Sequence, residues 1–255
     1  MRQASIFSLE GIPGIKPGMS LSAEILDAAR GNGVAWQDGD ILVLAQKIVS
    51  KAEGRIAHLG DVSPSAEAEA LALTTGKDAR LVELVLRESN EVLRARTNVL
   101  IVEHRLGHVM ANAGIDRSNV DAAPDDEDIA LLLPEDPDRS AARLRTEIEH
   151  ATGRQIGVII SDSFGRPWRI GTVGVAIGVA GPPAVLDRRG DPDLFGRKLQ
   201  ITEIGFADAV AAAAVLVMGE GDEGCPVAIV RGLAWSDSGQ GSRDALRPRS
   251  QDLFR

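Results

Sequence analysis

Three stretches of this sequence place acids or hydroxyls where an apolar run stops. In IISDSFGRPWR the run IGVII, residues 156–160, gives way to Asp162 between two serines, and Arg166 and Arg169 follow. The pair Asp162-Ser163 offers a carboxylate and a hydroxyl, hard oxygens of the kind that hold magnesium or manganese. Read alone, such a pair is more often a turn or a cap. In MANAGIDRSNV, residues 110–120, Asp116 follows a run of small residues and Asn119 comes three positions later. Small residues allow close approach of backbone or ligand, but an Asx-turn with a helix cap accounts for the same letters. The third stretch, GEGDEG, sets Glu220, Asp222 and Glu223 just beyond an Ala-rich helical run. Acids are disfavoured there because the helix dipole is negative at its C-terminus. Gly219 and Gly221 account for the turn but not for the charge. A bound divalent cation would offset the repulsion, and plain solvation would also accommodate it.

Two further features suit phosphates. The loop GIPGIKPG, residues 11–18, is shaped by glycine and proline and leaves backbone N–H groups free for an anion or a base edge. It matches neither GxxxxGK[ST] nor GxGxxG. Lys51, in IVSKAEGR, follows an expected strand and has the reach of a phosphate-binding point charge; by default it is a surface lysine. The four histidines, at 58, 104, 108 and 150, have no HExxH or paired zinc spacing and read as surface or loop residues.

The elements that must position these groups are short. Runs rich in Val and Ile predict strands at Ile41–Val49, Val99–Val102, Ile156–Ile160, Val173–Val179 and Val227–Val230. Helices are expected at Ser22–Arg30, Ser65–Thr75, Asp78–Ser89, Asp138–Thr152 and Phe206–Met218, with Leu81, Val82, Val85 and Leu86 on one face of the third. Two strand-like runs between Ile156 and Leu186 follow each other without a helix. That favours α+β with largely antiparallel, mixed sheets over a doubly wound sheet. The acidic stretch Asp121–Asp128 reads as a solvated loop.

The chain of 255 residues carries a net charge of −9 and few aromatics, which argues against nucleic acid as a partner. One cysteine, Cys225, excludes an internal disulfide and a cysteine-based zinc site. The longest apolar run, residues 209–218, is far short of the ~20 residues a membrane span takes. A cytoplasmic protein without membrane contact is the expectation.

Seven blocks in order, EGIPGIKPG, DGDILVLAQKIVSKAEGR, NAGIDRSNV, LLPEDPDRSA, GVIISDSFGRPWRIGTVGVAIGVAG, DLFGRKLQIT and VMGEGDEGCPVAIVRG, resemble the coenzyme F420-0:L-glutamate ligase family over nearly the whole chain. The resemblance implies a GTP-dependent ligase of coenzyme F420 biosynthesis. Such enzymes join L-glutamate to the lactate carboxylate of F420-0 through an acyl phosphate, and can add further γ-linked glutamates. It implies two divalent cations, Mg2+ or Mn2+, with room for K+. Asp116 and Asp162 would hold one ion and be the catalytic pair; Ser163 and Glu220 would hold the second. GTP contacts would fall on Ile12, Pro13, Gly14, Ile15, Gln46, Lys51 and Asn119, and on Met218, Gly219, Gly221, Asp222, Glu223, Gly224 and Cys225. Arg166 and Arg169 become candidates for the phosphodiester or the glutamate carboxylate, with a surface role as the alternative. The family implies one α+β domain over residues 1–255, with two sub-lobes, in an intertwined homodimer; the C-terminal flavin-reductase-like domain that some relatives carry is not expected in these 255 residues.

Two rivals use the same residues: a metal-dependent phosphohydrolase and a non-catalytic GTP-binding module. Dependence of GDP release on glutamate and F420-0 separates the three.

Overall fold

The computed structural model describes residues 3–117 and 128–252. Among these residues lie twelve strands and six α-helices, numbered in chain order. The central sheet has the order β1 (Ser5–Ser8), β12 (Val227–Arg231), β2 (Ile41–Ala45), β8 (Gly157–Arg166), β9 (Arg169–Ala180). Its neighbours are antiparallel except β2 and β8, which run parallel. Strands covered on both faces read as continuous apolar runs, and ILVLA of β2 is such a run.

Helices cover both faces of this sheet. On one side α1 (Leu21–Gly31) and α5 (Pro137–Thr152) bury Ile25, Leu144 and Ile148 against Leu42, Leu44, Val158 and Ile160. On the other, α6 (Phe206–Met218) buries Val210, Ala211 and Ala214 against Ile41, Val43 and Ile159. The alanines let α6 lie close to the sheet, and Gly174 of β9 is needed there: a Cβ on it would stand 2.6 Å from the Ala211 carbonyl oxygen. Asp208 fastens the start of α6 by accepting from the Ala176 N–H at 2.9 Å.

A third apolar cluster joins α3 (Ala66–Thr75) and α4 (Ala79–Arg87) to a smaller antiparallel sheet of β4 (Ser89–Arg96), β5 (Val99–His104) and β6 (Val109–Ala111). Two small antiparallel pairs complete the strands: β3 (Ile56–His58) with β7 (Ile129–Leu131), and β10 (Val185–Asp187) with β11 (Glu203–Gly205). No helix among the described residues is long and apolar enough to cross a membrane.

The α+β reading with largely antiparallel sheets holds. The expected helices all form, and Ser65 and Asp78 serve as N-caps, each accepting from a first-turn N–H. Three expectations are corrected. The strand expected at Ile41–Val49 stops at Ala45, and Gln46–Ala52 is a helix, α2. The pairing of β2 with both its neighbours ends there, and Gln46 and Ser50, four apart, bond at 2.8 Å on one helical face. The strand at Ile156–Ile160 does not end before Asp162: β8 continues to Arg166 in a hairpin with β9. What ends is its contact with β2, whose last partner is Ser161.

The third correction concerns the histidines. His58 and His150 are exposed, but His104 and His108 are buried. His104 Nδ1 accepts from the Leu106 N–H at 2.9 Å, and His108 packs edge-on to Phe164 at 5.9 Å. His108 thus meets β8, while His104 Nε2 faces Glu88 at 3.6 Å. Burial and the nearby His104 push the His108 imidazole down to about 4. Of the acidic stretch, Asp128 is described and pairs with Arg80 at 3.0 Å; residues 121–127 lie outside the described residues.

Candidate functional site

Strand directions bring three connections to one edge of the central sheet. Because β12 is antiparallel to both β1 and β2, the segments following β1 and β2 and the segment preceding β12 emerge together. The first, residues 11–18, is anchored by the buried Ile15 and by a bond from the Gly18 N–H to the Ala52 carbonyl at 2.9 Å. The second is α2. The third, residues 219–226, is held where the Ala45 N–H meets the Pro226 carbonyl at 2.9 Å. Between them lies a cavity of about 490 Å³, whose floor is Ser161, Asp162 and Ser163 of β8.

Alternation along β8 divides the Asp162-Ser163 pair. Ile160 and Phe164 pack on the α1–α5 side, so Asp162, between them, belongs to that side, while Ser163 belongs to the α6 side. Ser163 Oγ donates to Glu220, 2.5 Å from Oε1 and 2.6 Å from Oε2. Asp162 lies in the field of Asp116. Burial, with Asp116 and Glu220 adding like charge, pushes its carboxyl up to about 7; the Ser163 backbone N–H and Lys47 oppose the rise. The dipeptide thus presents one oxygen-bearing side chain to each of two places.

Asp116 stands behind Lys47 rather than on the cavity wall, and the two form an ion pair at 2.7 Å. Its backbone is fixed by a two-way bridge to Leu131, with N···O distances of 3.0 and 2.8 Å. Among the described residues no three His, Cys, Asp or Glu side chains gather into one ready-made metal cluster. The oxygen donors come instead as two separate pairs, Asp116 with Asp162 and Ser163 with Glu220. A buried carboxylate crowded by like charge is a group whose ionised form a cation would stabilise.

The cavity wall brings together Ile12, Pro13, Gly14, Ile15, Gln46, Lys51, Met218, Gly219, Glu220, Gly221, Asp222, Glu223, Gly224 and Cys225. Lys51 sits on α2, not after a strand, and still faces the cavity. Gln46 is 2% exposed, and its side-chain oxygen is taken by Ser50. The Glu223 carboxylate folds back over Gly219 and accepts from the Gly221 N–H at 2.8 Å. Asn119 lies outside the described residues. Arg166 and Arg169 pair across the β8–β9 turn and do not line the cavity.

Lys47 was not among the residues singled out from sequence. It lies four residues before Lys51, so both point from one face of α2, and both line the cavity. The spacing is visible in QKIVSK, but only once the segment is taken as helix.

The sequence profile of F420-0:Gamma-glutamyl ligase matches residues 11–232. A coenzyme F420:L-glutamate ligase of Methanothermobacter thermautotrophicus is 47% identical over 253 residues, 98% of each chain. One from Methanocaldococcus jannaschii is 46% identical over 219 residues, 86% of each chain. A third, from Archaeoglobus fulgidus, is 44% identical over 254 residues, 99% of this chain and 97% of its own. With the profile spanning most of the chain and these relatives matching it nearly end to end, the chain belongs to the F420-0:gamma-glutamyl ligase family.

Proposed function

We propose that this chain joins L-glutamate to coenzyme F420-0 at the expense of GTP, in F420 biosynthesis. The observation that carries the reading is the cavity: glycine-rich segments, two lysines of α2 and Glu220 on its walls, Asp162 and Ser163 at its floor, and Asp116 behind Lys47. Glycine-rich backbone and lysine point charges suit a triphosphate. Asp116 and Asp162 would hold one divalent cation, Mg2+ or Mn2+, and Ser163 and Glu220 a second. Such ions, when bound, spread the charge that develops on transferring phosphoryl oxygens.

A carboxylate and an amine do not condense at useful rates in water because the departing oxygen is a poor leaving group. Phosphorylation removes that obstacle. The F420-0 carboxylate oxygen attacks the γ-phosphorus in line; an O–P bond forms while the β,γ-bridging P–O bond breaks, and its electron pair leaves with GDP. The glutamate nitrogen then attacks the acyl carbon. The C–N bond forms, the C–O bond to phosphate breaks, and the nitrogen gives up a proton, leaving amide and inorganic phosphate. Lys47 and Lys51 hold and orient phosphate oxygens. The 11–18 and 219–226 segments close over the nucleotide and exclude water. Repetition on the new terminus would add γ-linked glutamates.

The protein acts as a homodimer in the cytoplasm, where GTP and glutamate are supplied. Support for the dimer comes from Trp168, Ile170, Leu194, Phe195 and Ile201, each more than 80% exposed along the β8–β9 turn and the segment between β10 and β11. Five large apolar side chains exposed in two connections suit a surface that a second copy covers.

Mass spectrometry of the product formed from GTP, glutamate and F420-0 tests the reading. A product heavier by one or more glutamyl residues, with GDP release dependent on both substrates, is expected. GDP release without them identifies a phosphohydrolase, and none under any condition identifies a binding module.

A further inference from the structure

We propose that Lys47 is an exchangeable counter-ion, holding Asp116 while the cleft lacks a divalent cation and moving to the nucleotide phosphates when a cation takes that carboxylate. The inference rests on the nucleotide and metal reading given above. Its first ground is position. Lys47 Nζ lies 2.7 Å from Asp116 Oδ2, and the same side chain lines the cavity beside Lys51. One ammonium therefore stands between the acid behind it and the space where phosphates would lie.

The second ground is which partner can move. Asp116 is held by the reciprocal backbone bridge to Leu131, and the residues before it, Asn112, Ala113 and Gly114, form a tight turn with φ of 51°, 53° and 66°. Lys47 has a flexible four-carbon stem and a compact charge with rotatable donors. Both side chains of the pair keep some exposure, 28% and 30%, so the ammonium can leave without crossing packed core.

The third ground is charge. Lys47 also acts on Asp162, where its field opposes the rise caused by burial and by Asp116. A divalent cation held by Asp116 and Asp162 would do the same work with twice the charge and would displace a monovalent competitor. The released ammonium meets the phosphates, and phosphates drawing Lys47 away in turn free Asp116 for the cation. Cation and nucleotide therefore promote each other's binding, a reciprocal coupling carried by one side chain.

The test uses the full-length protein, Mn2+ and GDP. Mn2+ affinity is read from the free-ion electron paramagnetic resonance signal, without and with GDP; GDP affinity is read by calorimetry in saturating Mn2+. Lys47→Met keeps the stem and removes the charge. It is expected to tighten Mn2+ alone about threefold, as a competing surface pair is lost. It is expected to weaken GDP in Mn2+ by about tenfold, as a charge-assisted phosphate contact is lost. Lys47→Arg retains the charge and is expected to leave Mn2+ alone within about twofold of the parent. Mn2+ binding by Lys47→Met that is unchanged or weaker than the parent's, while the parent binds Mn2+ and GDP, overturns the counter-ion role alone. A parent that binds neither overturns the site reading with it.

Discussion

Ser163 and Glu220, 57 residues apart in the chain, are joined by a hydroxyl donating to both carboxylate oxygens at 2.5 and 2.6 Å. The contact ties β8 to the segment after α6 across the cavity floor. It also gives Glu220 a place that Asp222 and Glu223 lack. We therefore expect Glu220→Gln to lose most of the rise in melting temperature that Mn2+ and GDP produce. Stabilisation by a ligand follows RT ln(1 + [L]/Kd), so at high ligand a hundredfold weaker Kd removes about 2.7 kcal/mol. Asp222→Asn and Glu223→Gln should keep most of the rise. Equal ligand-induced rises in Glu220→Gln and the parent would return Glu220 to a solvated acid past a helix end.

Asp162→Asn should abolish ligation, with a loss of at least about a hundredfold, while circular dichroism stays unchanged. The same variant has a pH signature without any ligand. The folded protein holds the Asp162 proton up to about pH 7, whereas the unfolded chain releases it near its ordinary value of 3.8. Across that window the folded state binds the extra proton, so this group's contribution makes stability fall as pH rises. Asparagine has no such cost. Denaturant titrations in EDTA should show Asp162→Asn gaining on the parent from about pH 4 to about pH 8, the span set by the raised carboxyl. Parallel pH profiles would show that the carboxylate is not held in that buried, like-charged field.

Gly219 has φ of 76° and ψ of 174°, a region open essentially to glycine, and the Glu223 carboxylate lies where a Cβ would go. Gly219→Ala should cost about 1–3 kcal/mol and weaken GDP binding, because the 219–226 segment can no longer turn over the cavity. Thermal unfolding and calorimetry on the same sample check both. A variant with parental stability would mean that the turn re-forms another way.

Trp168 and Ile170 project at the β8–β9 turn, 82% and 102% exposed. If a second copy covers them, the double change Trp168→Ser, Ile170→Thr should shift light-scattering mass from twice the chain mass toward once. A parent that runs as a monomer at all concentrations would remove the dimer from the proposal.

Much of the scaffold was legible because its signals are local. The Val- and Ile-rich run from Ile41 marked a strand, and the apolar face Leu81, Val82, Val85 and Leu86 marked a helix that formed as expected. The end of β2 was not legible. QKIV continues the apolar pattern, and only the loss of both sheet partners at Ala45 turns it into helix. That error also hid Lys47: the expected strand stopped short of Lys51, and an extended chain would set residues 47 and 51 about 13 Å apart instead of one helical turn apart. His104 and His108 were misjudged for a related reason: imidazoles close to charged residues in sequence look solvated until distant residues, Glu88 for one and Phe164 for the other, meet them.

The sequence by itself determined the ligands on offer, the family and most of the elements, because residue type, turn chemistry and hydrophobic period act over a few neighbouring residues. Tertiary structure alone decided which oxygens meet. Alternation along β8 sends Asp162 and Ser163 to opposite faces, and strand order brings Glu220 to one and Asp116 with Lys47 to the other. Those pairings span 57 residues in one case and 69 in the other, counted as 220 − 163 and 116 − 47. No local preference encodes contacts at such distances. They follow from burying β2, β8 and β12 side by side, which places the segments at their shared edge around one cavity.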